Sequence, residues 1–157
     1  MKTLYTAEAT ATGGRSGRIR SSDGVIDLNM SVPQGLGGKQ GATNPEQLFA
    51  AGYASCFQQA LIVVAQRNGQ RLDPASTVQC SVSLTQSDDA YGLAVTLDVH
   101  LPGTEAADQL VQEAHRICPY SIGTRGNIEV QLLVEGQPAQ LTADQPNAAG
   151  PENKTGA

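Results

Sequence analysis

The pattern of apolar and polar residues predicts a chain that alternates between strands and helices. Residues 2–11 are strand-like, and a hairpin is expected over 18–30 because its Asp23-Gly24 pair is a strong signal for a tight turn. A helix is expected over 105–117, and Pro119 prevents its continuation. Period-two alternation of apolar side chains predicts three more strands, within residues 78–84, 93–99 and 128–134.

A long segment without charged side chains, residues 47–66, predicts the central helix of the domain. Asn44 suits the N-cap, Pro45 the first helical position and Gln47 a capping box, while Gly69 is a natural C-terminal stop. The segment is long enough to span a membrane, but its Gln and Ser side chains would be costly in hydrocarbon. We therefore predict an α+β fold with antiparallel sheets around a long buried central helix, and no membrane association.

Length and composition favour one small globular domain. The chain has 157 residues, which we divide into a domain over 1–136 and a polar, Pro- and Ala-rich tail over 137–157 that we expect to be disordered. The formal net charge of −5 argues against a nucleic-acid partner, which would require clustered Lys and Arg. The first residues lack the apolar core of a secretory signal, so we expect a cytoplasmic protein.

The three cysteines are the candidate reactive groups, because thiols in a reducing compartment are either reactive or buried. Cys80 alternates with Val78 and Val82, which predicts a small buried hydrophobe. Cys56 lies in an apolar stripe at mid-helix, so it is either an inert buried thiol or a nucleophile that takes a cation from elsewhere. Cys118 closes the second helix, where the helix dipole disfavours a thiolate; local features fit a resolving thiol or an ordinary helix-end cysteine.

The sequence contains no motif for a metal site or for a Ser-His-Asp hydrolase. No Cys-x-x-Cys pair is present, and His100 and His115 show no ligand spacing, so we predict no metal site. A Ser-His-Asp hydrolase would need a nucleophile elbow, which the sequence lacks.

Four separated motifs resemble those of a known family. They read TGGR at 12–15, VPQGLGG at 32–38, NPEQLFAAGYASCF at 44–57, and AHRICPYS at 114–121 followed by TRGNI at 124–128. In this order and spacing they resemble the organic hydroperoxide resistance proteins, a branch of the OsmC-like family. The resemblance covers roughly residues 3–135.

The resemblance implies a thiol peroxidase that reduces organic hydroperoxides and protects against oxidative stress. It implies an intertwined homodimer with active sites at the subunit interface, no bound metal or cofactor, and reduction by an external dithiol, a dihydrolipoyl group on a lipoylated partner protein. Cys56 matches the family's peroxidatic cysteine and Cys118 its resolving cysteine. Arg15 matches the catalytic arginine, and Glu46 the glutamate that holds it.

The chemistry of these residues is consistent with that role. An apolar neighbourhood favours an alkyl or fatty-acyl hydroperoxide over hydrogen peroxide; its candidate substrate-binding residues are Phe49, Tyr53 and Phe57. In a continuous helix, Glu46 and Cys56 would be about 15 Å apart along the axis, at about 1.5 Å per residue. Either Arg15 bridges across a bend, or it acts on Cys56 of the other subunit. We hypothesise that dimerisation completes the site.

Two alternatives stay open. Within the family, an OsmC-type peroxidase induced by osmotic stress would share the chemistry, although the context of Cys118 and the 32–38 loop favour the hydroperoxide resistance branch. From another class, a thiol redox sensor or a module that binds hydrophobic ligands would use the same pocket without turnover.

Overall fold

The computed structural model describes residues 1–39, 41–88 and 90–140. Its backbone divides into two compact units, the first ending at Leu48 and the second beginning at Phe49. Part of the predicted tail, residues 141–157, lies outside the described residues.

The first unit holds a three-stranded antiparallel sheet of β1 (Ala9–Thr12), β2 (Arg18–Ser21) and β3 (Asp27–Asn29), in that order. The predicted hairpin is confirmed: Gly24 has φ +75°, and the Asp23 carboxylate accepts a hydrogen bond from the Val25 N–H at 3.0 Å. The strand predicted over 2–11 is wrong in its start, because the backbone pairing with β2 begins only at Ala9.

Helix α1 (Pro45–Arg67) confirms the predicted long helix, its Asn44 N-cap and its Gly69 stop. The predicted capping box is only half formed, because the Gln47 side chain accepts a hydrogen bond from the Thr43 hydroxyl at 3.1 Å. The Asn44 side chain accepts a hydrogen bond from the Gln47 N–H at 2.8 Å, which satisfies one of the unpaired donors of the first turn. Just beyond the other end, Gly69 has φ +70°, a conformation that glycine adopts without strain.

The second unit contains a four-stranded sheet, in the order β4 (Thr77–Gln86), β5 (Tyr91–His100), β6 (Glu129–Val134), β7 (Gln137–Pro138). The prediction of antiparallel sheets is wrong for one pair: β5 and β6 run parallel, and the other neighbours antiparallel. A parallel pair needs a crossover connection, and helices α2 (Ala107–Ile117) and α3 (Pro119–Thr124) provide it. Strand β7 lies beyond the predicted domain boundary at residue 136.

Helix α2 begins later than predicted and ends as predicted. Ala106 has φ 54°, a left-handed conformation that cannot belong to the helix, so the helix starts at Ala107 rather than at Glu105. Cys118 then leaves the helical conformation, and Pro119 opens α3, a helix that the sequence did not lead us to expect.

The core of the second unit lies between α1, the sheet and α2. Its largest fully buried apolar side chains are Tyr53, Phe57, Leu61, Leu97, Val99, Val111 and Cys118. Cys80 packs against this core as predicted, and burial raises the pKa of its thiol to about 11.

The expectation of a buried central helix is wrong for part of α1 in the single chain, because α1 leaves Ala51, Ser55 and Gln59 exposed. The sheet and α2 cover only one face of the helix. By length and composition α1 could cross a membrane, a property it shares with the core helices of many globular proteins.

Candidate active site

The structure brings two of the predicted site residues, Cys56 and Cys118, into contact. They are 62 positions apart in sequence, yet their sulfur atoms lie 3.6 Å apart, within hydrogen-bonding distance of each other. Cys118 is fully buried, Cys56 is partly exposed, and both are free thiols. The sulfurs of a disulfide are about 2.0 Å apart, so a small movement of the two side chains would allow oxidation to form a disulfide between them.

The corner between α2 and α3 fixes the position of Cys118. Its φ and ψ of −62° and 124° are extended rather than helical, so Cys118 is both the C-cap of α2 and the N-cap of α3. Its N–H donates to the carbonyl of Ala114 at 2.8 Å, and its own carbonyl accepts from the Ile122 N–H at 2.9 Å. Since both backbone groups are bonded, the thiol is carried by a rigid turn.

Tyr120, in the first turn of α3, contacts the Cys56 region in two ways that the sequence did not reveal. Its backbone N–H lowers the pKa of the Cys56 thiol. Its ring packs over Gly52, where an added Cβ would lie 3.0 Å from the Tyr120 hydroxyl. Gly52, one helical turn before Cys56, therefore permits the close approach of α3 to α1.

The electrostatic environment of Cys56 within its own unit opposes ionisation. Burial raises the pKa of the Cys56 thiol, because a thiolate loses hydration there, and the adjacent Cys118 adds to the rise. The N–H of Tyr120 acts in the opposite direction and lowers the pKa, but the net direction is upward. A nucleophilic role for Cys56 thus requires a further positive group, as the sequence indicated.

The other two predicted catalytic residues, Arg15 and Glu46, form a bidentate ion pair with N–O distances of 2.7 and 2.5 Å. Arg15 lies in a 3-10 helix over Gly14–Ser16, and Glu46 lies in the first turn of α1, where the helix dipole favours a carboxylate. The hydrogen bonds from Arg15 hold the pKa of Glu46 below its usual range, and Glu46 raises the pKa of Arg15. Both groups are therefore charged at neutral pH.

The site residues thus form two pairs. Arg15 and Glu46 belong to the first unit, and Cys56 and Cys118 to the second. Each pair unites residues that are distant in sequence. Among the residues that the structure describes, no three His, Cys, Asp or Glu side chains are grouped so that they could hold a metal ion.

The predicted substrate-binding residues lie mostly in the core. Tyr53 and Phe57 are fully buried, whereas Phe49 is partly buried and packs edge-on against Tyr53 with ring centres 6.0 Å apart. Contact of these three side chains with substrate stays a prediction.

An open groove of about 460 Å³ lies beside Cys56. It is lined by Ser55, Cys56, Gln59, Ala60, Val63, Ile117 and Pro119. Its α1 residues recur at helical spacing around Cys56, a signal that was present in the sequence. The groove is lined by these smaller side chains and not by the aromatic residues Phe49, Tyr53 and Phe57 that the sequence analysis names for substrate binding.

Comparison with known proteins agrees with this arrangement. Residues 37–133 match the model of the OsmC-like protein family, and the chain belongs to that family. It is 49% identical to the organic hydroperoxide resistance protein of Xanthomonas axonopodis pv. citri over 136 residues. This alignment covers 85% of this chain and 96% of that protein. The resemblance to organic hydroperoxide resistance proteins is therefore confirmed.

Solved structures show the same fold. The organic hydroperoxide resistance protein OhrB of Bacillus subtilis is 45% identical, with a TM-score of 0.77 over 85% of this chain and 100% of that one. The organic hydroperoxide resistance protein of Elizabethkingia anophelis is 46% identical, with a TM-score of 0.80 over 85% and 98%.

The contact between the two sulfurs predicts the outcome of mild thiol oxidation. Diamide should join Cys56 to Cys118 within one chain and leave Cys80 reduced, because the Cys56 and Cys118 sulfurs are already in contact and burial raises the pKa of Cys80 to about 11. Peptide mapping without reduction would identify the linked cysteines. The Cys80→Ser variant is the matched control and should form the same bridge; a bridge that contains Cys80 would contradict the geometry.

Proposed function

We propose that the protein is a cysteine-based peroxidase that reduces organic hydroperoxides to alcohols, with Cys56 as the nucleophile and Cys118 as the resolving thiol. The observation that carries the proposal is the 3.6 Å contact between the two sulfurs, in a chain whose relatives are named organic hydroperoxide resistance proteins. Such a reaction would protect the cell against oxidative stress. We place the protein in the cytoplasm, where thiols are kept reduced.

In the first step, the Cys56 thiolate attacks an oxygen of the hydroperoxide. An S–O bond forms, the O–O bond breaks, and the departing alkoxide takes up a proton to become the alcohol. Cys56 loses two electrons and becomes a sulfenic acid, while the peroxide gains them. In the second step, the Cys118 sulfur attacks the Cys56 sulfur: an S–S bond forms, the S–O bond breaks, and the hydroxide leaves as water with the proton of Cys118.

The disulfide must be reduced before another turnover. We propose that a dithiol, the dihydrolipoyl group of a lipoylated partner protein, reduces it by two thiol–disulfide exchanges and leaves as a cyclic disulfide. The protein itself needs no bound cofactor in this scheme. Cys56 is the sulfur for the partner to attack first, because it is partly exposed and borders the open groove, whereas Cys118 is fully buried.

The groove beside Cys56 suits an organic hydroperoxide. Ala60, Val63 and Ile117 provide apolar walls for an alkyl or fatty-acyl chain, and Ser55 and Gln59 offer polar atoms at its exposed side. Hydrogen peroxide would gain nothing from the apolar walls. We therefore expect alkyl and fatty-acyl hydroperoxides to be preferred.

Arg15 is the group that we propose to offset the raised pKa of Cys56. Its guanidinium would stabilise the thiolate and donate hydrogen bonds to the peroxide and the departing oxygen. Glu46 would orient that guanidinium, because the two hydrogen bonds of the bidentate pair fix the direction of its plane.

We further propose that the active form is an intertwined homodimer. In the single chain, the first unit exposes several large apolar side chains, and α1 exposes one face. The exposed apolar residues of the first unit include Val25, Ile26, Leu28 and Leu36. Clusters of exposed apolar residues mark interaction surfaces, and a second copy of the chain would bury them.

The peroxidase proposal predicts rapid consumption of tert-butyl, cumene and fatty-acid hydroperoxides with dihydrolipoamide as reductant. Cys56→Ser should abolish turnover because it removes the nucleophile. Cys118→Ser should allow one turnover and then stall at the sulfenic acid, which dimedone traps. The measurement is hydroperoxide loss beside hydrogen peroxide, with Cys80→Ser as the variant expected to keep wild-type activity. Binding or disulfide formation without turnover would instead support the sensor or ligand-binding alternative.

The role of Arg15 predicts a shift in the pH dependence of Cys56. Removing a cation that favours the thiolate raises the thiol pKa, so Arg15→Ala should move the rate profile to higher pH and slow sulfenic acid formation at pH 7 by about 10- to 100-fold. Iodoacetamide labelling of Cys56 across pH measures the shift. Arg18→Ala is the matched control, because Arg18 forms a similar bidentate pair with Asp27 on the surface. If Cys56 labelling depends on pH in the same way in Arg15→Ala and Arg18→Ala, Arg15 has no role in activating Cys56.

The dimer proposal predicts complementation between the slowed Arg15→Ala variant and the inactive Cys56→Ser variant. If Arg15 acts on Cys56 of the other subunit, a heterodimer of Arg15→Ala and Cys56→Ser chains contains one intact site of two and should show about half of the wild-type activity. Co-expression with two different tags and tandem purification isolates the heterodimer. A heterodimer no more active than the Arg15→Ala homodimer would place both residues in one subunit. Full activity in a chain that sediments as a monomer would contradict the dimer proposal itself.

A further inference from the structure

A buried hydrogen-bond network links α1 to α3 next to the two cysteines. The Tyr53 hydroxyl, on α1 three residues before Cys56, lies 2.9 Å from the Ser121 hydroxyl and 3.4 Å from the Thr124 hydroxyl. Tyr53 and Ser121 are fully buried, and Thr124 is 6% exposed. Polar groups buried in this way are costly unless each one finds a partner.

The network can satisfy every hydroxyl donor at once. Thr124 donates to the carbonyl of Ser121 at 3.2 Å, which leaves its oxygen free to accept from Tyr53. Ser121 can then donate to the Tyr53 oxygen. Burial raises the pKa of the Tyr53 phenol, so it keeps the proton that it donates. A closed network of this kind holds its members in one arrangement.

The network acts on the turn that carries Cys118. Ser121 lies three residues after Cys118, and the carbonyl of Cys118 accepts the Ile122 N–H within the same short helix. Tyr120, between Cys118 and Ser121, packs its ring over Gly52 of α1, and its N–H lowers the pKa of Cys56. The Tyr53 hydroxyl therefore ties α1, which carries Cys56, to α3, the short helix that follows Cys118.

We propose that Tyr53 is a positioning residue for disulfide formation: its hydroxyl holds α3 so that the Cys118 sulfur stays beside Cys56. The inference rests on the proposed function, in which Cys118 displaces hydroxide from the Cys56 sulfenic acid. That displacement needs the two sulfurs in line and close, and the 3.6 Å contact shows them already near. Tyr53 itself touches no reacting atom in this scheme.

The test separates the two chemical steps in Tyr53→Phe, which removes only the hydroxyl. After one equivalent of cumene hydroperoxide, rapid-quench samples are divided between dimedone trapping of the sulfenic acid and mass spectrometry of the disulfide. Loss of a buried hydrogen bond should slow disulfide formation by about tenfold, with sulfenic acid formation within about twofold of wild type. Tyr91→Phe, which removes the same group from an exposed ring at the start of β5, should match wild type in both steps.

A purely structural role would give a different result. A loosened fold would slow both steps together, and that outcome overturns the proposal, as does disulfide formation at the wild-type rate in Tyr53→Phe. Ser121→Ala removes the partner hydroxyl and keeps the aromatic ring; it should show the same selective loss, and it takes the place of Tyr53→Phe if that variant does not fold. The double variant should be no slower than the slower single variant, since both break one network.

A second oxidant keeps this inference distinguishable from the proposed function. Diamide drives formation of the Cys56–Cys118 disulfide without a hydroperoxide. If wild type consumes no hydroperoxide, the peroxidase proposal fails, and the diamide reaction still decides the role of Tyr53. A roughly tenfold slower diamide bridge in Tyr53→Phe supports positioning, and an unchanged rate overturns it.

Discussion

The contact of one face of α1 with β5 and α2 is the constraint on which the cysteine pair depends. Phe57 from α1, Leu97 from β5 and Val111 from α2 are all fully buried in one cluster. Burying a side chain of this size contributes about 1.5–3 kcal/mol, so the rotation of α1 about its axis is strongly determined. Because neighbouring helix positions differ by about 100°, this rotation decides that Cys56 meets the corner between α2 and α3.

The same burial creates the chemical difficulty of the site. An apolar environment shields a sulfenic acid from further oxidation, yet it raises the pKa of the thiol that must form it. Within the second unit, the Tyr120 N–H lowers the pKa of Cys56 and so offsets part of the rise. In our proposal, the charged Arg15 of the Arg15–Glu46 pair supplies the rest of the stabilisation that the thiolate needs. Stability and reactivity thus make opposite demands on Cys56, and separate groups meet them.

Local signals in the sequence were sufficient for the elements whose ends depend on nearby residues. Asn44 caps α1, Gly69 follows its end with a positive φ, and Asp23-Gly24 forms the hairpin turn, because each acts through its own backbone and immediate neighbours. Other features depend on distant partners and could not be inferred in this way. The parallel pairing of β5 and β6 is set by the crossover through α2 and α3. The exposed face of α1 is the face that the sheet and α2 do not cover.

The sequence by itself determined the chemistry available to this protein: two thiols in helical contexts, an arginine after a double glycine, a glutamate in a first helical turn, and the motifs of the OsmC-like family. Only the tertiary structure decided how those groups meet. It placed the sulfurs of Cys56 and Cys118 3.6 Å apart, opened the groove beside them, and closed the Tyr53 network. The reason is physical: hydrogen-bonding and covalent chemistry act over a few ångströms, and only packing brings residues more than sixty positions apart within that range.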